Sequence, residues 1–337
     1  MPSTAELPRD STQQTPPTPN GNERPDIVPP ADGATPATAV QAIADINARL
    51  AGGGQVAGTG MVITASGEVL TNNHVIEATT SITVQLGGTG TSYAARVIGE
   101  DPTDDVALMQ IEGASALATV PIGDSATLSV GQAVTALGNA FGRGGAPARA
   151  EGVITALDQT ITAGDGSGSA ETLSGMIEIN AAIAPGDSGG PVIDSAGRVI
   201  GMTTAGSQNG RVSTRPGAGF AVAINKAMAV VRQIEAGGGG SANIHIGPGP
   251  LLGVEVDSQS RDGALVAGVT TGGPAAAAGI TAGDRITALA GRPVGSAADL
   301  RTILRQYTPG QRITVRWVTS AGAARSATVA LASGPPI

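Results

Sequence analysis

Turn-forming residues interrupt this chain so often that no long element fits into most of its length. Fifty-one glycines and 22 prolines are spread through 337 residues, and the apolar runs between them recur roughly every 8–12 positions. A helical bundle needs apolar residues at a 3.6-residue period over longer stretches. Short runs bounded by glycine, proline and asparagine read instead as strands joined by tight turns, hence as a mainly β sandwich or barrel. Only five aromatics are present, Tyr93, Phe141, Phe220, Tyr307 and Trp317, so Val, Ile, Leu and Ala must build the core.

Several functional classes are excluded at this level. The net charge is −8, and Lys226 is the single lysine, which argues against nucleic acid as a partner. With no cysteine, disulfides and thiolate metal sites are ruled out. The two histidines, His74 and His245, lack metal-ligand spacing, so no metal and no cofactor is expected. No run of about 18 apolar residues marks a membrane helix, and the N-terminus lacks the basic and apolar regions of a signal peptide.

Residues 1–36 hold nine of the prolines and read as a disordered stalk, one that a membrane anchor or signal is expected to have preceded. A helical pattern is expected over Ala37–Ala51 (Val40, Ile43, Ile46, Leu50). Candidate strands follow at Thr59–Thr64, Val69–Asn72, Ser81–Gln85, Tyr93–Gly99, Val106–Ile111, Ala133–Leu137, Gly152–Ala156, Asp158–Ile161, Gly175–Ile179, Pro191–Asp194, Val199–Thr204 and Gly219–Val222. A helix over Ala223–Glu235 closes this region, which spans 37–235. Residues 236–247 read as a flexible glycine-rich linker, with His245 a solvated side chain in it. A second unit follows over 248–334.

One hexapeptide carries the chemistry. Gly186-Asp-Ser-Gly-Gly-Pro191 sets a hydroxyl among glycines, where a substrate carbonyl meets little bulk and backbone N–H groups converge on one point. Such a serine needs a base and a carboxylate to orient that base. His74, in Thr71-Asn-Asn-His-Val-Ile76, is the base candidate. Of the acids in Asp101-Pro-Thr-Asp-Asp-Val-Ala-Leu108, Asp105 directly precedes a strand, while Asp101 and Asp104 read as turn residues. The motif also fits the nucleophile elbow of α/β-hydrolases, with Asp194 and His245 nominally available. That fold requires alternating strands and helices, which this chain lacks.

The three blocks around His74, Asp105 and Ser188 resemble those of the HtrA/Deg serine proteases, over about residues 50–334. The resemblance implies a chymotrypsin-like double β-barrel followed by a PDZ domain, a small β-barrel with two helices. It implies Ser188 as nucleophile, His74 as general base, Asp105 as the group fixing the imidazole tautomer, and backbone N–H groups of Gly186, Ser188 and Asp187 as oxyanion hole. Ala182, Thr203, Thr204, Ala205 and Phe220 are the implied walls of an apolar first specificity pocket, favouring cleavage after small or medium apolar residues. Leu251-Leu-Gly-Val254 resembles the PDZ carboxylate loop, implying peptide C-termini as ligands. Unfolded or exported proteins are the implied substrates and the cell envelope or exterior the implied location. A latent protease acting as a PDZ-based sensor or chaperone-like binder is the alternative.

Two departures from the family stand out. Most Deg enzymes carry asparagine before the serine; here Asp187 is expected either to stay solvated or to pair with an internal base, Arg143 or Arg149. No aromatic precedes Tyr93, which argues against trimerisation through early aromatics and leaves a monomer or another packing, a trimer included, open.

Overall fold

Ser92–Asp101 is the strand that closes the first barrel, because it is long enough to pair on both sides. The computed structural model describes residues 40–50, 54–77, 79–164, 170–206, 218–238, 243–257, 260 and 262–334. The stalk 1–36 and residues 239–242 of the linker lie outside the described residues. In chain order the first strands are β1 (Ile43–Leu50), β2 (Gln55–Val62), β3 (Glu68–Thr71), β4 (Thr79–Leu86), β5 (Ser92–Asp101) and β6 (Val106–Ile111), with a short helix α1 (Asn73–Ile76) after β3. They pair in the order β5-β4-β1-β2-β3-β6, and a β5–β6 pairing completes the ring.

A second closed barrel has the order β10-β11-β12-β9-β8-β7. Its strands are β7 (Ala133–Gly138), β8 (Ala148–Gly164), β9 (Ala170–Ile179), β10 (Pro191–Ile193), β11 (Val199–Gly206) and β12 (Gly219–Ala223). The two strands expected at Gly152–Ala156 and Asp158–Ile161 are one continuous strand, β8. Register shifts along it, with Asp158 at φ 54°, bend the strand without ending its pairing. Helix α2 (Ile224–Glu235) then buries Ile224, Val230, Val231 and Ile234, each contributing about 1.5–3 kcal/mol relative to exposure.

Two expectations are corrected here. The helix expected over Ala37–Ala51 is for the most part strand β1, which is paired on one side with β2 and on the other with β4. Its residues Ile43 to Ile46 are all buried, so the inside–outside alternation that marks a strand is hidden, and the two partner edges outweigh a weak helical period. His245 is not a solvated linker residue. With Ile246 it forms β13, which pairs with Glu100 and Gly99 of β5. Gly99 makes this approach possible: a Cβ there would stand 2.7 Å from His245 O and 2.8 Å from Ile234 Cγ2. Half-burial, and then the Arg305 charge, hold the His245 pKa below its ordinary value.

The C-terminal unit has its own core around Leu252, Val266, Ile286, Leu300, Val315 and Trp317. Strands β15 (Val254–Val256), β16 (Ala264–Val269), β17 (Arg285–Leu289), β19 (Arg312–Val318) and β20 (Ala324–Ala330) form its sheet, with β18 (Arg292–Pro293) on β17. Strand β14 (Gly249–Leu251) pairs with β21 (Ala332–Gly334). Helix α3 is Pro274–Ala277 and helix α4 is Ala297–Leu304, the latter capped by the Ser296 hydroxyl accepting Asp299 N–H at 3.1 Å. No helix among the described residues is long and apolar enough to cross a membrane. The fold class is thus the double β-barrel with a smaller β unit that the resemblance implies.

Asp45, in the middle of β1, is 1% exposed and neither carboxylate oxygen has a hydrogen-bond partner among the described residues. Burial raises its pKa from 3.8 to about 6. The folded state therefore holds this proton more tightly than the unfolded chain, and the associated stability is lost as pH rises through about 6. Asp45→Asn is expected to stabilise the protein at pH 7 by on the order of 2 kcal/mol in urea denaturation, the gain shrinking toward pH 4. Equal stability at pH 7 would contradict the assignment.

Candidate active site

The turn Pro185–Gly190 has no ladder of its own and is held from both barrels. Thr59 of β2 donates its N–H to Ser188 O at 2.8 Å, and Gly189 N–H donates to Thr203 O of β11 at 2.7 Å. Strand β2 is free to do this because its pairing with β3 covers only Met61 and Val62. Gly189 lies at φ 86°, and a Cβ there would collide with Thr59 O and Thr71 Oγ1. Close approach of the loop to β2 thus depends on glycine.

On the facing side, α1 presents His74 and the turn after β5 presents Asp105. Asp105 is 2% exposed with φ 53°, a conformation that aspartate tolerates better than most residues. Asn72 Nδ2 donates to its backbone oxygen at 2.9 Å. The carboxylate accepts His74 N–H at 3.0 Å and lies 2.9 and 3.0 Å from His74 Nδ1. It also accepts the Thr204 hydroxyl in a short hydrogen bond. An ionised carboxylate only accepts, so His74 carries its proton on Nδ1 and leaves Nε2 as an acceptor. Ser188 Oγ donates to Thr204 O at 3.3 Å, so one threonine touches Asp105 with its hydroxyl and Ser188 with its carbonyl. Asp101 instead accepts the N–H groups of Thr103 and Asp104, and Asp104 pairs with Lys226 at 2.7 Å.

The N–H groups of the serine turn divide cleanly. Asp187 N–H donates to Ala184 O at 3.0 Å, whereas Gly186 N–H and Ser188 N–H have no acceptor among the described residues. Of the three backbone groups expected at an oxyanion hole, Asp187 is therefore turned away. Its side chain is also not solvated as one expectation had it. The carboxylate is 2% exposed and accepts Ala184 N–H at 2.8 Å, in room left by Gly138, whose Cβ would stand 2.6 Å from Asp187 Oδ1. Arg143 stacks over the Phe141 ring at 5.1 Å, and Arg149 lies 3.7 Å from Glu151.

Among the expected pocket residues, Ala182 is exposed in the loop ahead of the serine turn. Thr203 and Thr204 on β11 and Phe220 on β12 are buried, and Ala205 pairs with Phe220 in the register of the two strands. Thr204 has a role that its place in the sequence did not disclose, because its hydroxyl is spent on Asp105. Thr59 and Glu77 escaped sequence reasoning altogether. The available signal for Thr59 was a polar residue between two glycines, Gly58-Thr-Gly60, in an otherwise apolar strand. Among the described residues no group of three or more potential ligands could hold a metal ion.

In the C-terminal unit, an apolar groove of about 370 Å³ runs between Leu251–Val254 and the α4 residues Leu300, Arg301 and Leu304. The N–H groups of Leu252 and Gly253 have no acceptor among the described residues, while their carbonyls are used by Ala275 and Thr270. Glu77, which directly follows α1, accepts Arg305 Nη2 at 3.0 Å and lies 3.8 Å from Arg301 Nη1. The groove helix is thereby tied to the segment that carries His74.

Residues 58–202 match the family model of the trypsin-like peptidase domain, and residues 250–331 that of the PDZ domain. The chain is 37% identical over 268 residues to the periplasmic pH-dependent serine endoprotease DegQ of Escherichia coli, covering 76% of this chain and 55% of that protein. The chain carries a trypsin-like peptidase domain and a PDZ domain and is similar to HtrA/Deg-type serine proteases. To the serine protease PepD of Mycobacterium tuberculosis the chain is 30% identical over 291 residues, with 81% and 60% covered. It thus spans a little over half the length of the curated relatives it matches. The solved HtrA-type protease AlgW with a tripeptide superposes at a TM-score of 0.52, with 29% identity, covering 89% of this chain and 96% of that one.

Gly189→Ala is expected to cost at least about 2 kcal/mol more than Gly144→Ala. Both positions have positive φ, but a Cβ at Gly144 meets nothing within 4 Å. Urea midpoints of the two variants check this; equal losses would show that the serine turn does not need its contact with β2.

Proposed function

We propose that this chain is an HtrA/Deg-type serine endopeptidase acting through an acyl-enzyme. Ser188 is the nucleophile, His74 the base that takes its proton and returns it to the leaving amine, and Asp105 the group that holds the imidazole and stabilises its cation. The reading rests on the buried Asp105 carboxylate accepting His74 N–H, Nδ1–H and the Thr204 hydroxyl, beside Ser188 on the Thr204 carbonyl. Gly186 N–H and Ser188 N–H form the oxyanion hole, where loss of one donor typically costs about 3 kcal/mol of barrier stabilisation. Attack by Ser188 Oγ on a peptide carbonyl breaks the C–N bond in two steps, with water releasing the acyl group.

An uncharged residue at Ala182 and the apolar Phe220 support a first pocket for small or medium apolar side chains, since a guanidinium buried there would lack a counter-charge. The groove with the free N–H groups of Leu252 and Gly253 takes a peptide C-terminus by strand addition. Unfolded or exported proteins are the substrate class, and relatives named periplasmic support an extracytoplasmic location. A second reading, a peptide sensor with a latent protease site, draws on the Ser188 hydroxyl bonding to Thr204 O; hydroxyl–imidazole bonds often tighten only with substrate bound.

A fluorophosphonate probe is expected to label the wild type and not Ser188→Ala, and Asp105→Asn to lower kcat/KM by roughly 10⁴-fold. A peptide library is expected to show cleavage after Ala, Val, Leu, Ile or Met. Absence of wild-type labelling supports the sensor, and cleavage mainly after Arg or Lys overturns the pocket.

A further inference from the structure

Every polar atom of Thr59 is committed to the serine turn or to what surrounds it. The residue is fully buried. Its N–H takes Ser188 O at 2.8 Å, and its carbonyl accepts the Thr71 hydroxyl at 2.7 Å. Its hydroxyl donates to Gly186 O at 2.6 Å and accepts Asn139 N–H at 2.8 Å. One side chain thus joins the serine turn to the loop after β7. Two residues further along that loop, Phe141 N–H donates to Pro185 O at 2.5 Å.

These contacts determine where the turn's N–H groups point. In a trans peptide the N–H and C=O are antiparallel. With Pro185 O held by Phe141, the Gly186 N–H faces the opposite way, toward the open side. With Gly186 O held by Thr59, the Asp187 N–H points away from Thr59 and is taken up by Ala184 O. With Asp187 O accepting Gly190 N–H at 2.9 Å, the Ser188 N–H also faces out. Gly186, at φ 94°, has the conformational freedom to let this peptide rotate once its anchors are gone, which would put a carbonyl where the oxyanion must sit.

We propose that Thr59 is a positioning residue for catalysis, its hydroxyl holding the Gly186 carbonyl and the Asn139 loop so that the Gly186 and Ser188 N–H groups face the reacting carbonyl. The proposal rests on the Ser188 reading above. A barrel strand thereby sets the geometry of the hole from beneath, through an atom that never meets substrate. The effect falls on transition-state stabilisation and leaves substrate binding intact.

The test compares wild type, Thr59→Val, Thr59→Ala and Thr59→Ser on a chromogenic peptide, with thermal midpoints and fluorophosphonate labelling rates. The valine and alanine variants are expected to fold and to lose on the order of 100-fold in kcat and in labelling rate, with KM changed less than threefold. The serine variant, which keeps the hydroxyl, is expected within threefold of wild type throughout. Thr59→Val with wild-type kcat, a loss residing in KM, or a serine variant as impaired as the valine one overturns the proposal. Failure of both valine and alanine variants to fold also overturns it, assigning Thr59 to stability alone. A wild type that neither turns over nor labels overturns the Ser188 reading itself, a result distinct from all of these.

Discussion

The serine turn is shaped by carbonyls that are held from outside it. Thr203 N–H takes Gly190 O, Thr59 takes Gly186 O and Ser188 O, and Phe141 takes Pro185 O. Three of these donors lie in strands or a loop far away in sequence, so the turn is a product of the two barrels meeting. Its own residues contribute mainly permission: glycine where φ is positive and where β2 comes close. What remains is a pair of N–H groups, of Gly186 and Ser188, with no acceptor among the described residues. Unpaired donors carry a desolvation cost where water is excluded, and under the proposed function the negative charge developing on the substrate oxygen would recover it.

The same economy shapes the His74–Asp105 pair. A carboxylate with so little exposure needs donors, and it has three, drawn from α1 and β11. Asp45 makes the contrast. It is about as buried, without any donor among the described residues, and burial moves its proton affinity upward. Thr204 ties the acid to the serine through one residue, so the relative placement of Asp105 and Ser188 follows from a single strand of the second barrel.

Much of this was legible in the sequence, for physical reasons that also mark where legibility stopped. Short apolar runs between turn residues gave strands such as Val106–Ile111 at their true boundaries, and the glycine-rich hexapeptide stood out because few structures need that composition. Strand β1 was missed because a central strand buried on both faces shows no alternation. His245 was misread because edge pairing to β5 depends on a gap at Gly99 that no local pattern reveals. Thr59 and Glu77 act over 127 and 228 residues of chain, and such contacts exist only once the fold has formed. Asp187 stands out in the sequence, but its burial, in room left by the absence of a side chain at Gly138, has no local signal.

The groove of the PDZ domain and the base of the protease domain meet at Glu77, which accepts Arg305 from just beyond the groove helix and stands three residues after His74. A crystal structure of the covalent adduct with a peptide aldehyde tests the geometry of the serine turn most directly. The account predicts a bond to Ser188 Oγ and a hemiacetal oxygen about 2.7–3.1 Å from the N atoms of both Gly186 and Ser188, with Asp187 N–H still on Ala184 O. An adduct whose oxygen lies away from both groups, or that forms on another residue, would contradict it.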